Sequence, residues 1–516
     1  MDRIKKAEII KNVGSSWIGL GTNVVVGIFL APFILHHLGD TAFGIWVLIF
    51  SITGYYGVFD LGIRSSVVRY VSKFLATGDH ESLGELINTS LFAYSCIGAF
   101  SLLLTLVLCS YVDTLFRIPP HLHQTARYLL LMVGAAVSLG FPLGIAGGFL
   151  EGLERFAIVN ATGIAATLAR AVLIVVALKQ GRGLLTVAVI TVAVPLIVSV
   201  IRGAVVLRFC PLPFGWRYVN RVTFVRMASY SGITFLIIVA GRLKFKTDEI
   251  IIGSMMSAAA ITYFNIGARI VDYAGEVVVG LAQIFVPMSS QSDAAGNVDR
   301  LRQIFIVGNR FCAFVIFPIC AILIILGRSV IEVWVGKKYS ASSYPVLVIM
   351  ILATTLMWAQ GASTRILLGI GKHGTWAAVT FMEGIANVIL SVVLIRPLGI
   401  VGDSMGTAIP LFCSMVFFLP NHLCRRLGVR MGTYLREAYA LPLLLCVPLV
   451  FTLLLMQAWF VPHTYAQLAV HFFAAGLVYG AGMAWAFAAR RLTAFSQSPT
   501  TRLEMTDVAV AVDNVV

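Results

Sequence analysis

Apolar residues run in stretches of about 20 along almost the whole chain, separated by short polar connections rather than alternating residue by residue. A run of that length crosses the roughly 30 Å hydrocarbon layer as a helix. Without period-two alternation a β-barrel is excluded, and helices remain the backbone that satisfies its own hydrogen bonds in lipid. Fourteen spans are predicted: 13–35, 42–62, 86–111, 123–149, 157–178, 184–207, 228–253, 258–287, 304–327, 344–364, 375–395, 403–423, 438–460 and 467–489. The expected fold class is an all-α polytopic membrane protein.

Composition agrees. A chain of 516 residues that is 59% hydrophobic and 12% charged, with mean hydropathy +0.92, is not an ordinary water-soluble domain. The net charge of +15 is chiefly a topology signal. Of the 38 Lys and Arg, 24 fall on one set of alternate connections, 7 on the other and 7 within spans or at their edges. The positive-inside rule then puts both termini and the 209–226 connection in the cytoplasm. Membrane lipids are the expected partner of that basic face, and nucleic acid is not implied. The opening MDRIKKAEIIKN resembles a signal-peptide n-region, but the run behind it is long and lacks a clear small-residue cleavage site, so it is read as the first span. The eight Cys show no CxxC and no Cys/His ligand spacing, so no disulfide framework, metal or other cofactor is expected. The sequons at Asn88 and Asn160 fall in spans, and the tail 494–516 reads as disordered.

Internal repetition organises the spans. A shift of 218 lays GDHESLGEL (78–86) on GNVDRLRQI (296–304), and a shift of 217 lays 148–176 on 365–393, where Gly152, Ala161, Ala169, Leu173, Val175 and Val176 meet identical residues. Two segments agreeing on nearly one offset imply two six-helix repeats, and an even number of helices gives both the same orientation. The expected division is an N-lobe over 1–208, a cytoplasmic linker over 209–226, a C-lobe over 227–424, two further helices over 425–493 and the tail.

Three segments carry a family resemblance: FDLGIRSSVVRYVS (59–72), TDEIIIGSMMSAAAITYFNIGARI (247–270) and IEVWVGKKYSASSYPVL (331–347). They resemble the polysaccharide (O-antigen type) flippases, of a superfamily that also holds multidrug antiporters and lipid II flippases. The resemblance covers roughly residues 10–425. It implies two six-helix bundles around a central cavity, opening alternately to each side to carry an undecaprenyl-diphosphate-linked oligosaccharide outward. It also implies glycosyltransferases and a polymerase of the same pathway as partners, and H+ or Na+ as a coupling cation. The first span, 13–35, carries no charge, which departs from the antiporters and from the lipid II flippases; both remain alternatives.

Charges inside the spans are the candidate chemistry. GRLKFKTDEI (241–250) packs Arg242, Lys244, Lys246, Asp248 and Glu249 into eight positions. On a whole seventh helix, each would cost about 2.5 to 3.5 kcal/mol if it faced lipid, so they are expected to face water, ligand or one another. Arg242 and Lys246 are four apart on one face and suit a diphosphate. An outward loop between two short helices is the structural reading of the same stretch. Arg170 on the fifth span and Glu383 on the eleventh, the counterpart span in the other repeat, are substrate-contact or buried-pair candidates. Arg269, Asp272 and Glu276 share one face of the eighth span, as a structural pair or a coupling site. Asp60 and Arg64 are spaced to bridge each other. No catalytic constellation is expected, neither a GxSxG elbow nor an HExxH or P-loop site, and the outer connections are short, the longest being 327–342. A membrane glycosyltransferase or polymerase is therefore disfavoured.

Overall fold

The computed structural model describes residues 2–209 and 215–488; residues 210–214 of the expected linker and the whole tail 494–516 lie outside the described residues. The first stretch holds α1 (Asp2–Leu38), α2 (Asp40–Gly54), α3 (Ile63–Thr77), α4 (His80–Leu115), α5 (His123–Gly152), α6 (Phe156–Lys179) and α7 (Leu184–Phe209). Then come α8 (Arg221–Phe245), α9 (Asp248–Met255), α10 (Ala258–Ala282), α11 (Phe285–Ala294), α12 (Val298–Trp334), α13 (Lys337–Ala359) and α14 (Gly361–Gly369). The last are α15 (Gly374–Leu398), α16 (Ile400–Cys413), α17 (Leu419–Leu427), α18 (Met431–Trp459) and α19 (Tyr465–Ala488). The described residues contain no strand, and thirteen helical segments among them are long and apolar enough to cross a membrane. The protein is an all-α, multi-pass membrane protein.

Two expectations change in detail. The seventh span, 228–253, is not a continuous helix: α8 stops at Phe245, Lys246 leaves helical geometry (φ −133°, ψ 0°) and α9 starts afresh at Asp248. The outer connection expected over 327–342 shrinks to residues 335–336, because α12 runs on to Trp334 and α13 begins at Lys337.

The chain folds as two compact units, Met1–Thr262 and Tyr263–Val516. In the first, α4 packs on α5, α5 on α7, and α3 on both α4 and α5; in the second, α12 packs on α13, α13 on α16, and α11 on α12 and α14. The same order of contacts recurs because the local chemistry recurs. Gly78 (φ 68°) and Gly296 (φ 64°) make left-handed turns, each followed by an N-cap: Asp79 Oδ1 accepts from the Ser82 N–H at 3.0 Å, and Asn297 Oδ1 from the Arg300 N–H at 2.9 Å. Hydrogen bonds from Ser82 hold the Asp79 carboxyl below the usual carboxylate range. Gly152 lies against Val68 and Val71, and Gly369, 217 residues on, against Val286 and Ser289. In the second unit α18 packs on α12, α17 and α19. Asn309 Nδ2 donates to Ser363 Oγ (2.7 Å) and Tyr434 Oη (3.1 Å), and Arg310 Nε donates to the Glu437 carbonyl at 2.6 Å.

The first unit reaches past the expected 209–226 linker to Thr262. The connection after α7 is fastened to α4: the Gly215 N–H donates to Asn88 Oδ1 and the Asn220 N–H to Thr89 Oγ1, both at 3.0 Å. Asn220 Nδ2 and Thr223 Oγ1 both donate to Glu85, at 3.1 and 3.0 Å. Beyond it, α8 packs on α3 and α4, and α9 on α2.

Candidate functional site

The charges of GRLKFKTDEI sort themselves around the break. Arg242 and Lys244 occupy the last turn of α8, and Asp248 and Glu249 the first turn of α9, the placement each helix dipole favours. Tyr55, in the 3-10 turn Tyr55–Asp60 after α2, fixes the break by donating to the Arg242 carbonyl at 3.1 Å and by a short hydrogen bond with Thr247 Oγ1. Lys246 is past the helix end, so it does not share a helical face with Arg242 as the spacing suggests; its Nζ is 3.9 Å from Glu249 Oε1. Lys244, Asp248 and Glu249 are 3%, 2% and 4% exposed, too buried to meet a ligand as placed. Lys244 Nζ stands 5.3 Å from the Phe245 ring centre. Arg242 is different. Its guanidinium reaches within 3.7 and 3.1 Å of where Cβ atoms on Gly54 and Gly57 would stand, and it has no ion-pair partner among the described residues.

Gly57 leads from this arginine to a cavity of about 470 Å³ inside the first unit. Its wall is largely apolar, with Phe50, Val133, Phe141 and Leu196, and its polar members include Asp60, Arg64, Tyr94, Arg170, Thr191 and Ser199. Arg170, on α6, has no hydrogen-bond or ion-pair partner among the described residues. Arg64 and Asp60 do not bridge each other. Arg64 Nη2 donates to Glu151 Oε1 at 2.6 Å, whereas Asp60 accepts a short bond from Tyr94. Burial works against the Arg64 charge, and the Glu151 carboxylate more than offsets it, so the guanidinium holds its proton more tightly than usual.

Three groups here escaped the sequence reading: Arg202, Glu151 and Tyr94. Arg202, which the sequence reading did not single out as a charge within a span, is inside α7. It donates from Nε to Thr162 Oγ1 (2.9 Å) and from Nη2 to the Val159 carbonyl (2.7 Å). A Cβ on Gly147 would be 3.6 Å from both Arg202 Nη1 and Arg64 Nη2. The missing side chain at Gly147 leaves room for two guanidiniums beside one carboxylate.

The remaining candidates belong to the second unit. Glu383 is buried on α15, in the company of Asn387 and Ser391 on the same helix and Asp403, Ser404 and Thr407 on α16, all buried. On α10, Arg269 and Asp272 are exposed and Glu276 is half-buried, and all three charges act on Tyr273. No group of three or more His, Cys, Asp or Glu arranged for a metal occurs among the described residues. One catalytic pattern is present after all: GDSMG (402–406) has the GxSxG spacing. A nucleophile elbow needs a strained strand-to-helix turn, but Ser404 is in the middle of α16, buried, with Oγ donating to the Ile400 carbonyl at 2.8 Å. The match is a coincidence of composition.

Two compact helical units, the first holding a largely apolar cavity into which Arg64 and Arg170 bring positive charge, make up this polytopic membrane protein. Residues 9–293, more than half the chain, match the family described as "Polysaccharide biosynthesis protein", and the chain belongs to that family. It is 21% identical over 409 residues to the "Putative O-antigen transporter" of Shigella flexneri, covering 78% of this chain and 94% of that one. Among solved structures, the fold is similar to that of the lipid II flippase MurJ in an inward closed conformation: TM-score 0.69, 14% identity, 93% of this chain and 98% of that one. It is also similar to an inward-facing multidrug resistance MATE transporter of the MOP superfamily: TM-score 0.64, 15% identity, 81% and 95% covered.

Proposed function

We propose that the protein flips an undecaprenyl-diphosphate-linked oligosaccharide across the bacterial cytoplasmic membrane, for surface polysaccharide synthesis, by alternating access of its two repeats and without covalent chemistry of its own. The observation that carries this reading is the charge of the cavity in the first unit. Its lining carboxylate, Asp60, is engaged by Tyr94, and Glu151 behind the lining by Arg64, while the group left without a partner, Arg170, is a cation. Such a cavity suits a diphosphate, which guanidinium binds with paired hydrogen bonds. A carrier of cationic drugs needs the opposite balance. Glycosyltransferases that complete the lipid-linked unit and a polymerase that consumes it are the partners this chemistry requires, and H+ or Na+ is the candidate coupling cation. Deleting the protein is expected to trap the completed oligosaccharide-lipid in the inner leaflet and abolish surface polymer, with tolerance to cationic drugs unchanged. A deletion strain that keeps its surface glycan and becomes drug-sensitive would replace this reading with the antiporter.

Both termini and the connection before α8 are proposed to face the cytoplasm, on the distribution of Lys and Arg. A thiol introduced at Ala341, exposed at the start of α13, should react with an impermeant maleimide in intact cells. One at Val222, 64% exposed, should react only after the cells are opened. The reverse pattern sinks the orientation.

A further inference from the structure

We propose that Glu151 is a built-in counter-ion that competes with the anionic substrate for Arg64, so that substrate binding in the first-unit cavity is accompanied by proton uptake at Glu151. The inference rests on the proposed function for the identity of the anion, and on geometry for everything else.

Glu151 closes α5, and in the structure it is the sole hydrogen-bond partner of the Arg64 side chain among the described residues. Arg64 is a cavity-lining residue whose side chain is 50% exposed, against 22% for Glu151. The guanidinium is therefore held at the cavity wall and still open to it. The groups facing the pair come from every element packed on α5. These are Arg64 on α3 with Asp60 just before it, Tyr94 on α4, Arg170 on α6 and Arg202 on α7; the one charge of α2 is its first residue, Asp40. Asp60 is already served by Tyr94, and Arg202 by the neutral oxygens of Thr162 and Val159. Glu151 is thus the group whose engagement decides whether Arg64 is available.

Charge arithmetic gives the direction. Three guanidiniums (Arg64, Arg170, Arg202) stand against two carboxylates (Asp60, Glu151), a surplus of one positive charge. A diphosphate diester brings two negative charges and leaves the cavity one negative, with Glu151 facing the anion that has drawn away its partner. Like charges at that distance raise the affinity of a carboxylate for a proton. One proton from solvent on a Glu151 oxygen restores neutrality, and the same proton returns to solvent when the anion leaves. Binding should therefore tighten as pH falls.

The test uses the full chain in detergent, with an undecaprenyl diphosphate bearing a single sugar as the probe, a diester that carries the two charges counted above and no phosphate that titrates near neutral pH. Calorimetry in buffers of different ionisation enthalpy should give close to one proton taken up per probe bound by the wild type. Glu151→Gln should bind about tenfold more tightly, the size of one charge-assisted hydrogen bond, with neither proton uptake nor pH dependence. Adding Arg64→Ala should erase the gain, and Arg170→Ala should weaken binding in either background. Wild-type binding without proton uptake overturns the counter-ion, even should Glu151→Gln fail to fold, and so does a Glu151→Gln protein that binds and titrates like the wild type; in both cases the proposed function stands. Failure of the wild type to bind the probe at all removes the proposed function and this inference together.

Discussion

Replacing Arg170 by Ala is expected to cut transport by roughly 30-fold or more, the range for removing one charged partner of a desolvated ion, with membrane abundance unchanged. Arg170 gives up no hydrogen bond or ion pair of the folded protein when it is removed, since it has none among the described residues, so fold and function are separable at this position. Arg170→Glu should be worse than Ala, because it sets a second negative charge against the diphosphate. Arg170→Lys should recover part of the activity, keeping the charge but losing the two-pronged geometry. Surface polymer in a complemented deletion strain, read beside an immunoblot of the membrane fraction, decides the matter: full polymer from Arg170→Ala at normal abundance would remove the diphosphate from this cavity.

The site was legible in part. Charge in a hydrophobic span is costly enough that Arg170 and Arg242 could be singled out from sequence, since each must face something other than lipid. What those charges face was not legible. Arg64 and Asp60, four residues apart, read as a local bridge, but Asp60 ends a 3-10 turn and two left-handed residues, Leu61 and Gly62, separate it from Arg64, so that each turns to a partner on another helix. Glu151 is 87 residues from Arg64, and no local periodicity encodes such a pairing. The GRLKFKTDEI stretch misled for a related reason. The break at Lys246 carries no Gly or Pro and is held from outside by Tyr55, so a continuous helix with one cationic face was the natural reading.

The fold was more legible, because span length and backbone satisfaction leave few alternatives in a membrane. The linker shows where that reasoning stops. A polar, basic connection reads as a free tether, yet Asn88, Thr89 and Glu85 bind its backbone and side chains. Asn88, which looked like a sequon stranded in a span, is there to accept the Gly215 N–H.

The repeat makes the second large prediction: Gly152→Ala and Gly369→Ala should each destabilise the protein, by about 1 to 3 kcal/mol as overpacked cores do, despite the gain in helix propensity. A Cβ on Gly152 would stand 2.7 Å from the Cβ of Val71 and 3.0 Å from the Val68 carbonyl; on Gly369 it would stand 2.6 Å from the Val286 carbonyl and 3.0 Å from the Cβ of Ser289. Val68 and Val286, like Val71 and Ser289, are 218 residues apart, so one helix-crossing contact has been built twice. Gly369→Ala should be the more damaging, because its nearest obstacle is a backbone oxygen, whereas Gly152 first meets a side chain with some room to turn. The control is Gly432→Ala in α18, where nothing lies within 4 Å; there the lost glycine entropy alone should leave stability equal or slightly higher. Thermal unfolding of the purified protein in detergent, followed by loss of the monodisperse peak on size exclusion, compares the three directly. If either repeat glycine tolerates Ala as well as Gly432 does, the close crossing at that end is not a constraint, and the two units share an order of helices without sharing the packing that fixes it.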